Sequence, residues 1–221
     1  TQGLRFIEPQ AIPVKDPADH ESQLAKQGII LDPEKRKEVI REQVLAICKK
    51  VGGSTTLDEG LLDEVNYLVE APFAFLGTFE ESHLQLPPEV LVSVMKKHQR
   101  YFPVQTDEGK LLPHFIAVRN GVAEGIELVT DGNEQVVRAR FADANFFIRE
   151  DLKHPLPEML TKLGTLTFQH KLGSMLDKSQ RITALVQQIG PTLGLSDEEM
   201  KTAERAATLC KADLVTHMVV E

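Results

Sequence analysis

The segment whose side chains most suggest chemistry combines cations with aromatic rings. Its residues are Lys96, Lys97, His98, Gln99, Arg100, Tyr101 and Phe102. Ammonium, guanidinium and imidazole groups bind phosphate oxygens, and an aromatic ring offers a face for a stacked base. The segment is therefore suited to contacts with the phosphates of a nucleic acid. On composition alone we favour the alternative, a solvated helix end that is followed by two core aromatic residues.

Three further arginines are candidates for the same kind of contact. Arg119 lies at the end of a predicted strand, where a hairpin would bring it beside the first segment. Arg138 and Arg140 lie on the helix that follows, and the alternative is that either one pairs with Asp143 along that helix. The complete set of candidate phosphate contacts is Lys96, Lys97, His98, Arg100, Arg119, Arg138 and Arg140.

Signals for catalysis are weak in this sequence. It contains no phosphate-binding loop of the GxxxxGK[ST] type, no GxGxxG, no GxSxG and no HExxH. His170 and His217 could meet Asp177 or Asp213 across two helices and hold a metal ion, but exposed helix-surface histidines are the alternative that we favour. We therefore expect no catalytic residue and no metal ligand in this chain.

The charge distribution limits where nucleic acid could bind. The chain has 221 residues, of which 42% are hydrophobic, and a net charge of −8, which argues against a general nucleic-acid binder. Residues 1–95 carry nine Lys and Arg against sixteen Asp and Glu, whereas residues 96–149 carry eight against seven. We expect phosphate contacts in the middle third, with the acidic first third facing away or facing a protein.

Cysteine usage and hydropathy indicate a protein of a reducing compartment. Cys48 and Cys210 lie far apart on apolar helical faces, so we expect two buried free thiols. The longest apolar run, residues 71–77, is too short to cross a membrane, and no signal peptide is recognisable. Because the sequence starts at Thr1 without Met and stops in mid-pattern at Glu221, we expect an internal piece of a longer cytoplasmic protein.

The spacing of apolar residues predicts a mixed helix and strand part followed by an all-helical part. The first thirty residues are predicted to be loop, since their prolines are closely spaced. Residues 96–104 are predicted to be mainly strand and to form a hairpin, through a turn at 107–109, with a strand at 115–119.

Several helices are predicted from their end signals. Asp32 suits the position before a helix that starts at Pro33 and ends at Gly52, and Ser196 has the spacing of a capping box with Glu199. The other predicted helices are 58–69, a short one from Pro87, 133–149 and 167–188.

Several long segments of this sequence resemble one protein family. In order along the chain they are Leu86–Leu91, Met95–Val104, Gly109–Val118, Gly132–Ala144, Phe168–Ser174 and Cys210–Thr216. They are similar to the beta chain of bacterial glycyl-tRNA synthetase, and they cover nearly the whole sequence. Because these segments are long and occur in the same order along the chain, the resemblance is specific.

The resemblance implies an α+β fold with two domains. Residues 1–155 are expected to form a mixed helix and sheet domain that resembles the editing-type fold of the phenylalanyl-tRNA synthetase beta chain. Residues 156–221 are expected to be the start of an all-helical, truncated HD-like domain. A metal-dependent enzyme of the HD type needs an adjacent His-Asp pair, but the similar element here is Lys211-Ala212-Asp213. Since an ammonium has no lone pair for a metal, we expect this part to be non-catalytic.

The resemblance also implies a function within a larger enzyme. The family's alpha subunit binds glycine and ATP with Mg²⁺, and the beta subunit supplies tRNA(Gly) recognition and assembly of a heterotetramer. We expect the seven candidate cations to contact tRNA and this piece to hold no cofactor itself. The alternatives are an architectural module that binds only the alpha subunit, and an HD-type or editing hydrolase.

Overall fold

The computed structural model describes residues 1–5 and 8–220 and shows an α+β protein. Its helices are α1 (His20–Ala25), α2 (Pro33–Lys50), α3 (Glu59–Leu68), α4 (Pro88–Ser93), α5 (Ile126–Asp151), α6 (Leu156–Met159), α7 (Met175–Ile189), α8 (Asp197–Leu209) and α9 (His217–Val220). Its strands are β1 (Pro72–Thr78), β2 (Phe102–Gln105), β3 (Leu111–Asn120), β4 (Thr167–Gln169) and β5 (Gly173–Ser174). None of the described helices is both long and apolar enough to cross a membrane.

The chain forms two compact units, which divide between Ala142 and Asp143. This division falls inside α5, whereas the sequence places a domain boundary near residue 155. Compact units do not define the domain boundary of the family. The assignment of domains 1–155 and 156–221 therefore stays a prediction.

The helices of the first unit begin where their capping residues predict. The Asp32 carboxylate accepts hydrogen bonds from the backbone of Glu34 and Lys35 at the start of α2. Asp58 does the same for Gly60 and Leu61 at the start of α3. Both predicted helices are therefore confirmed, because a carboxylate there satisfies backbone N–H groups that a helix cannot bond internally.

Two expectations for helix boundaries are wrong. The first thirty residues are not all loop, since Asp16 caps a turn at Pro17–Asp19 that leads into α1. Helix α5 begins at Ile126 and not at residue 133, so it runs through Gly132. A single Gly costs a helix only about 1 kcal/mol, and a helix this long tolerates it.

A three-stranded antiparallel sheet in the order β1-β3-β2 forms the centre of the first unit. The predicted hairpin is confirmed as β2 and β3, with Phe102 opposite Ile116. Strand β1 was not predicted, because its apolar run lacks the alternation of a strand with one wet face. It pairs with β3 from Pro72 opposite Asn120 to Thr78 opposite His114.

Helices α2 and α3 cover this sheet and form the largest described core with it. Ile40, Val44, Leu62, Val104 and Ile116 have no exposed surface. Such burial of aliphatic side chains is the main favourable contribution to folding.

The two cysteines differ in their surroundings. Cys48 is buried in this core, where loss of hydration raises the pKa of its thiol to about 11. Cys210 follows α8 and is exposed, so the expectation that both thiols are buried is wrong for Cys210. Both cysteines are free.

The second unit contains one more difference from the sequence prediction. Residues 167–188 were predicted to be one helix, but they form the short hairpin β4-β5 and then α7. Ser174 and Asp177 make a capping box that sets the start of α7. The predicted capping box of Ser196 and Glu199 at the start of α8 is confirmed.

The close approach of β1 to the Phe115 ring can be tested by mutation. A Cβ at Gly77 would lie 2.1 Å from Cζ of Phe115, which is fully buried. We expect Gly77→Ala to lower the free energy of unfolding by about 1 to 3 kcal/mol through overpacking. Urea unfolding of the chain measures this change.

The matched control is Gly132→Ala in α5, where no atom other than those of the adjacent residues and the backbone of the helix itself lies within 4 Å of the added Cβ. We expect this variant to be more stable by about 0.5 to 1 kcal/mol, because Ala favours the helix over Gly. Equal effects of both substitutions would contradict the packing described for β1.

Candidate nucleic-acid interface

The predicted phosphate-binding segment forms a turn at the end of α4, and we call residues Lys96–Arg100 the basic turn. The helix continues past Ser93 as a π-helical turn over Val94–His98. The backbone N–H groups of Arg100 and Tyr101 then donate to the carbonyls of Lys96 and Met95, at 3.2 and 2.9 Å. The expectation that these residues are strand is wrong up to Tyr101, since their backbone bonds close the helix end.

Arg100 has a left-handed backbone conformation, with φ of 57°. It is the one non-glycine residue with positive φ in the described part of the chain. Such a conformation costs a residue with a Cβ roughly 1 to 2 kcal/mol, and helix ends of this shape usually carry Gly. The Arg100 side chain offsets this cost in part, because its Nε donates to Glu64 Oε1 at 2.7 Å.

The two aromatic rings after the basic turn are buried. Tyr101 is 7% exposed and Phe102 is 1% exposed. The Tyr101 ring stacks on Phe115 with centroids 4.6 Å apart, and its hydroxyl donates to Asn133 on α5. Burial raises the pKa of the Tyr101 hydroxyl. Neither ring is available to stack on a base, so the structure supports the alternative that both are core residues.

The cations of the basic turn fall into two groups. Lys96 lies 3.2 Å from Asp58, and Arg100 lies 2.7 Å from Glu64, both carboxylates of the α3 region. Lys97 and His98 are exposed, and their side chains form no ion pair or hydrogen bond with residues 1–5 and 8–220, although the His98 carbonyl accepts a hydrogen bond from Arg100 Nη1 at 3.3 Å. Lys97 and His98 are therefore the members of the turn that are open to a phosphate.

A row of carboxylates along α3 holds cations from several elements. The Glu59 carboxylate lies 3.0 Å from the Lys37 ammonium and accepts two hydrogen bonds from the Arg41 guanidinium, at 2.7 and 3.1 Å. These hydrogen bonds, from Arg41 first and Lys37 second, lower the pKa of Glu59 to about 2. At Asp58 the pKa is lowered mainly by the backbone N–H of Leu61, with the Lys96 ammonium as the next cause.

Sequence reasoning missed the carboxylates that neutralise part of the basic turn. Asp58, Glu59, Asp63 and Glu64 recur at a spacing that places pairs of them on neighbouring turns of α3. That spacing was a usable signal of an acidic helix face. The spacing alone could not reveal which cations the acidic face would bind, because that depends on the tertiary fold.

The three further arginines are separated by the fold. Arg119 donates Nη1 to the Glu124 carbonyl at 3.0 Å in the loop after β3. No hydrogen bond or ion pair links it to the basic turn within the described residues. Arg138 binds Glu80 at 3.1 Å and Glu134 at 3.2 Å, so the alternative that it pairs with Asp143 is wrong.

Arg140 differs from Arg138 although both lie on α5. It is exposed, and the described residues include no ion-pair partner for it, so the alternative that it pairs with Asp143 is also wrong. Together with Lys97 and His98 it is an accessible member of the candidate set.

The candidate metal histidines do not come together. His217 contacts Asp151, with Nδ1 at 2.8 Å from Oδ1, and stacks on Phe147. His170 is exposed in the turn between β4 and β5. The suggested pairing of either histidine with Asp177 or Asp213 is not seen, and no group of three potential ligands lies together in the part of the chain that the structure describes.

Comparison with known proteins places this chain among subunits of aminoacyl-tRNA synthetases. Residues 1–221 match the family described as glycyl-tRNA synthetase beta subunit. The chain belongs to that family, as the similar segments of its sequence also indicate.

Proteins named glycine–tRNA ligase beta subunit are similar along the whole chain. The protein from Clostridioides difficile is 51% identical over 221 residues, that from Desulforamulus reducens 46% and that from Bacillus subtilis 45%. Each comparison covers 100% of this chain and 32% of the relative. The chain thus spans about a third of the length of these relatives.

The lowered pKa of Glu59 predicts how the stability of the chain depends on pH. Because the pKa of Glu59 is about 2 in the fold and 4.5 ordinarily, its contribution to stability is complete above pH 4.5 and is lost as pH falls towards 2. We expect Glu59→Gln to destabilise the chain at neutral pH and to have a shrinking effect below pH 4.5. Urea unfolding across this pH range measures the difference.

The control for this prediction is Glu42→Gln on α2. Glu42 is exposed and forms no ion pair with a described residue, so we expect the variant to follow the original chain at every pH. An effect of Glu59→Gln that is the same at neutral pH and below pH 3 would contradict the assigned ion pairs.

Proposed function

We propose that this chain is part of the beta subunit of glycine–tRNA ligase, and that it contributes tRNA(Gly) recognition and subunit assembly to the ATP-dependent attachment of glycine. Membership of the family supports this assignment, as do the printed names of relatives that are 45 to 51% identical over the whole chain. We further propose that the complete enzyme is a cytoplasmic heterotetramer.

The proposed tRNA contacts are graded by the ion pairs that each cation already makes. Lys97, His98 and Arg140 are exposed, and their side chains lack hydrogen-bond and ion-pair partners among described residues, so they meet a phosphate without giving up another contact. The other four candidates, Lys96, Arg100, Arg119 and Arg138, are held by carboxylates or a carbonyl. Exposed ion pairs contribute only about 0 to 1 kcal/mol, so Lys96, Arg100 and Arg138 can exchange partners at a small cost.

Catalysis is proposed to lie outside this chain. We place glycine, ATP and Mg²⁺ in the alpha subunit, and we assign this chain no cofactor. We also propose that residues 1–155, which contain the sheet and its covering helices, form an editing-type domain, and that residues 156–221 are the beginning of an HD-like domain. In the latter, Lys211 precedes the turn at Ala212–Val215, where an ammonium would repel a metal ion.

A second candidate function is architectural, with contact to the alpha subunit alone. The observation that favours it lies at the end of α3, where Tyr67 is 74% exposed and Leu68 is 63% exposed. Exposed aromatic and aliphatic side chains together are typical of protein interfaces. Assembly measurements on the same variants therefore accompany the tRNA measurements.

The proposed RNA contact can be tested with Lys97→Ala in the complete enzyme. If Lys97 meets a phosphate, the variant should bind tRNA(Gly) more weakly, and the slope of log affinity against log salt should fall by about 1. Fluorescence anisotropy over a salt series measures both quantities, and aminoacylation should decline in parallel.

The control is Lys50→Ala at the end of α2, another exposed lysine without an ion pair to a described residue. It should change neither affinity nor slope. Unchanged binding and aminoacylation in Lys97→Ala would remove the basic turn from the tRNA interface. Loss of assembly with unchanged tRNA binding would favour the architectural function.

A further inference from the structure

The hairpin before α7 carries a second group of cations, this time beside accessible apolar side chains. We call Phe168, Lys171, Leu172, Lys178 and Arg181 the hairpin surface. Strands β4 and β5 pair through Thr167 with Ser174 and through Gln169 with Gly173. The N–H of Met175 donates to the Leu166 carbonyl at 2.8 Å and joins the base of the hairpin to the first turn of α7.

The local charge of this segment is opposite to that of the whole chain. Residues 160–181 contain Lys162, Lys171, Lys178 and Arg181 but only one acidic residue, Asp177, in a chain with a net charge of −8. No carboxylate of a described residue lies within 4.0 Å of these four cations, although the pKa of Asp177 is lowered first by the hydrogen bonds from Ser174 and then by Arg181 from a greater distance. In the basic turn, by contrast, two of three Lys and Arg residues are already paired with carboxylates of the α3 region.

The acidic residue of this segment is engaged in holding the hairpin to the helix. Oδ2 of Asp177 accepts hydrogen bonds from both the backbone N–H and the hydroxyl of Ser174, each at 2.7 Å. Gly173 has φ of 82°, and a Cβ there would lie 2.3 Å from the same carboxylate oxygen. The glycine is therefore required for the turn that places Lys171 and Leu172 outside.

The aromatic ring of the hairpin surface is accessible, unlike those that follow the basic turn. Phe168 is 37% exposed, and the Lys178 ammonium lies 3.8 Å from its ring centroid. Leu172 is 52% exposed. An exposed ring beside cations that lie in no close ion pair is the usual composition of sites for single-stranded nucleic acid, where bases stack on the ring and phosphates meet the cations.

We propose that the hairpin surface binds an unpaired stretch of RNA, with a base against Phe168 and phosphates at Lys171 and Arg181. In this arrangement Lys178 is a positioning residue that holds the ring. The identity of that RNA as tRNA rests on the proposed function, whereas the preference for unpaired RNA does not. A protein partner could also use Leu172, but the excess of four Lys and Arg over one acidic residue in this segment favours a polyanion.

The test uses the full-length protein, assembled with its alpha subunit, and two probes, tRNA(Gly) and a short single-stranded oligo(A) RNA. We expect Phe168→Leu to weaken oligo(A) binding about tenfold without changing its salt dependence, since a stacked base is lost. Lys171→Gln should lower the salt slope by about 0.7, the value for one contact to a single strand. Phe168→Tyr, which keeps a ring, should bind like the original protein.

The matched control is Lys201→Gln on α8, an exposed lysine that has no ion pair among described residues. If Phe168→Leu and Lys171→Gln bind both RNAs as this control does, the proposal is overturned. The same holds if they lose only assembly with the alpha subunit, which would make the surface a protein interface.

The two probes separate this proposal from the proposed function. Oligo(A) binding that depends on Phe168, without binding of tRNA(Gly), would support the hairpin surface and contradict the tRNA assignment. Binding of tRNA(Gly) that is insensitive to Phe168 and Lys171 would leave the assignment standing and overturn the hairpin surface.

Discussion

The stack of Tyr101 on Phe115 is the contact on which the candidate interface of the first unit depends. The two rings lie 4.6 Å apart at an angle of 15°, and Gly77 on β1 leaves the space that the Phe115 ring occupies. The Tyr101 hydroxyl is also bonded to Asn133 on α5. Because Tyr101 follows the basic turn directly, sheet, helix and turn are fixed by one buried side chain, and the cations before it acquire a defined position.

Electrostatics then separate cations that look equivalent in the sequence. The carboxylates of Asp58 and Glu64 take up Lys96 and Arg100, which leaves Lys97 free. The paired residues still contribute positive charge, but their carboxylates cancel much of it at a distance. An acidic chain can thus present a phosphate with a few isolated cations, which favours recognition of one RNA over general attraction to polyanions.

Local signals in the sequence predicted local structure well. Asp32, Asp58 and Ser196 cap helices because the bonds they make involve only the next three residues. The hairpin of β2 and β3 was predicted because its strands are neighbours in the chain and are joined by a short turn. Strand β1 and the hairpin before α7 were missed, since the first depends on pairing with a distant strand and the second on a fold in which Met175 returns to Leu166.

The chemistry of the site was predicted only in part, because exposure and pairing are properties of the tertiary fold. The residue types of the basic turn pointed to phosphate, yet the rings that suggested base stacking are in the core. Phe168 is an accessible ring beside cations, but in the sequence it stood out only as part of the segment Phe168–Ser174, which resembles the family. Cross-linking of tRNA(Gly) to the complete enzyme, followed by mass spectrometry of the linked peptides, tests the central claim that this chain touches tRNA. The account predicts links within the peptides that contain Lys97 or Phe168, and links confined to regions outside these 221 residues would contradict it.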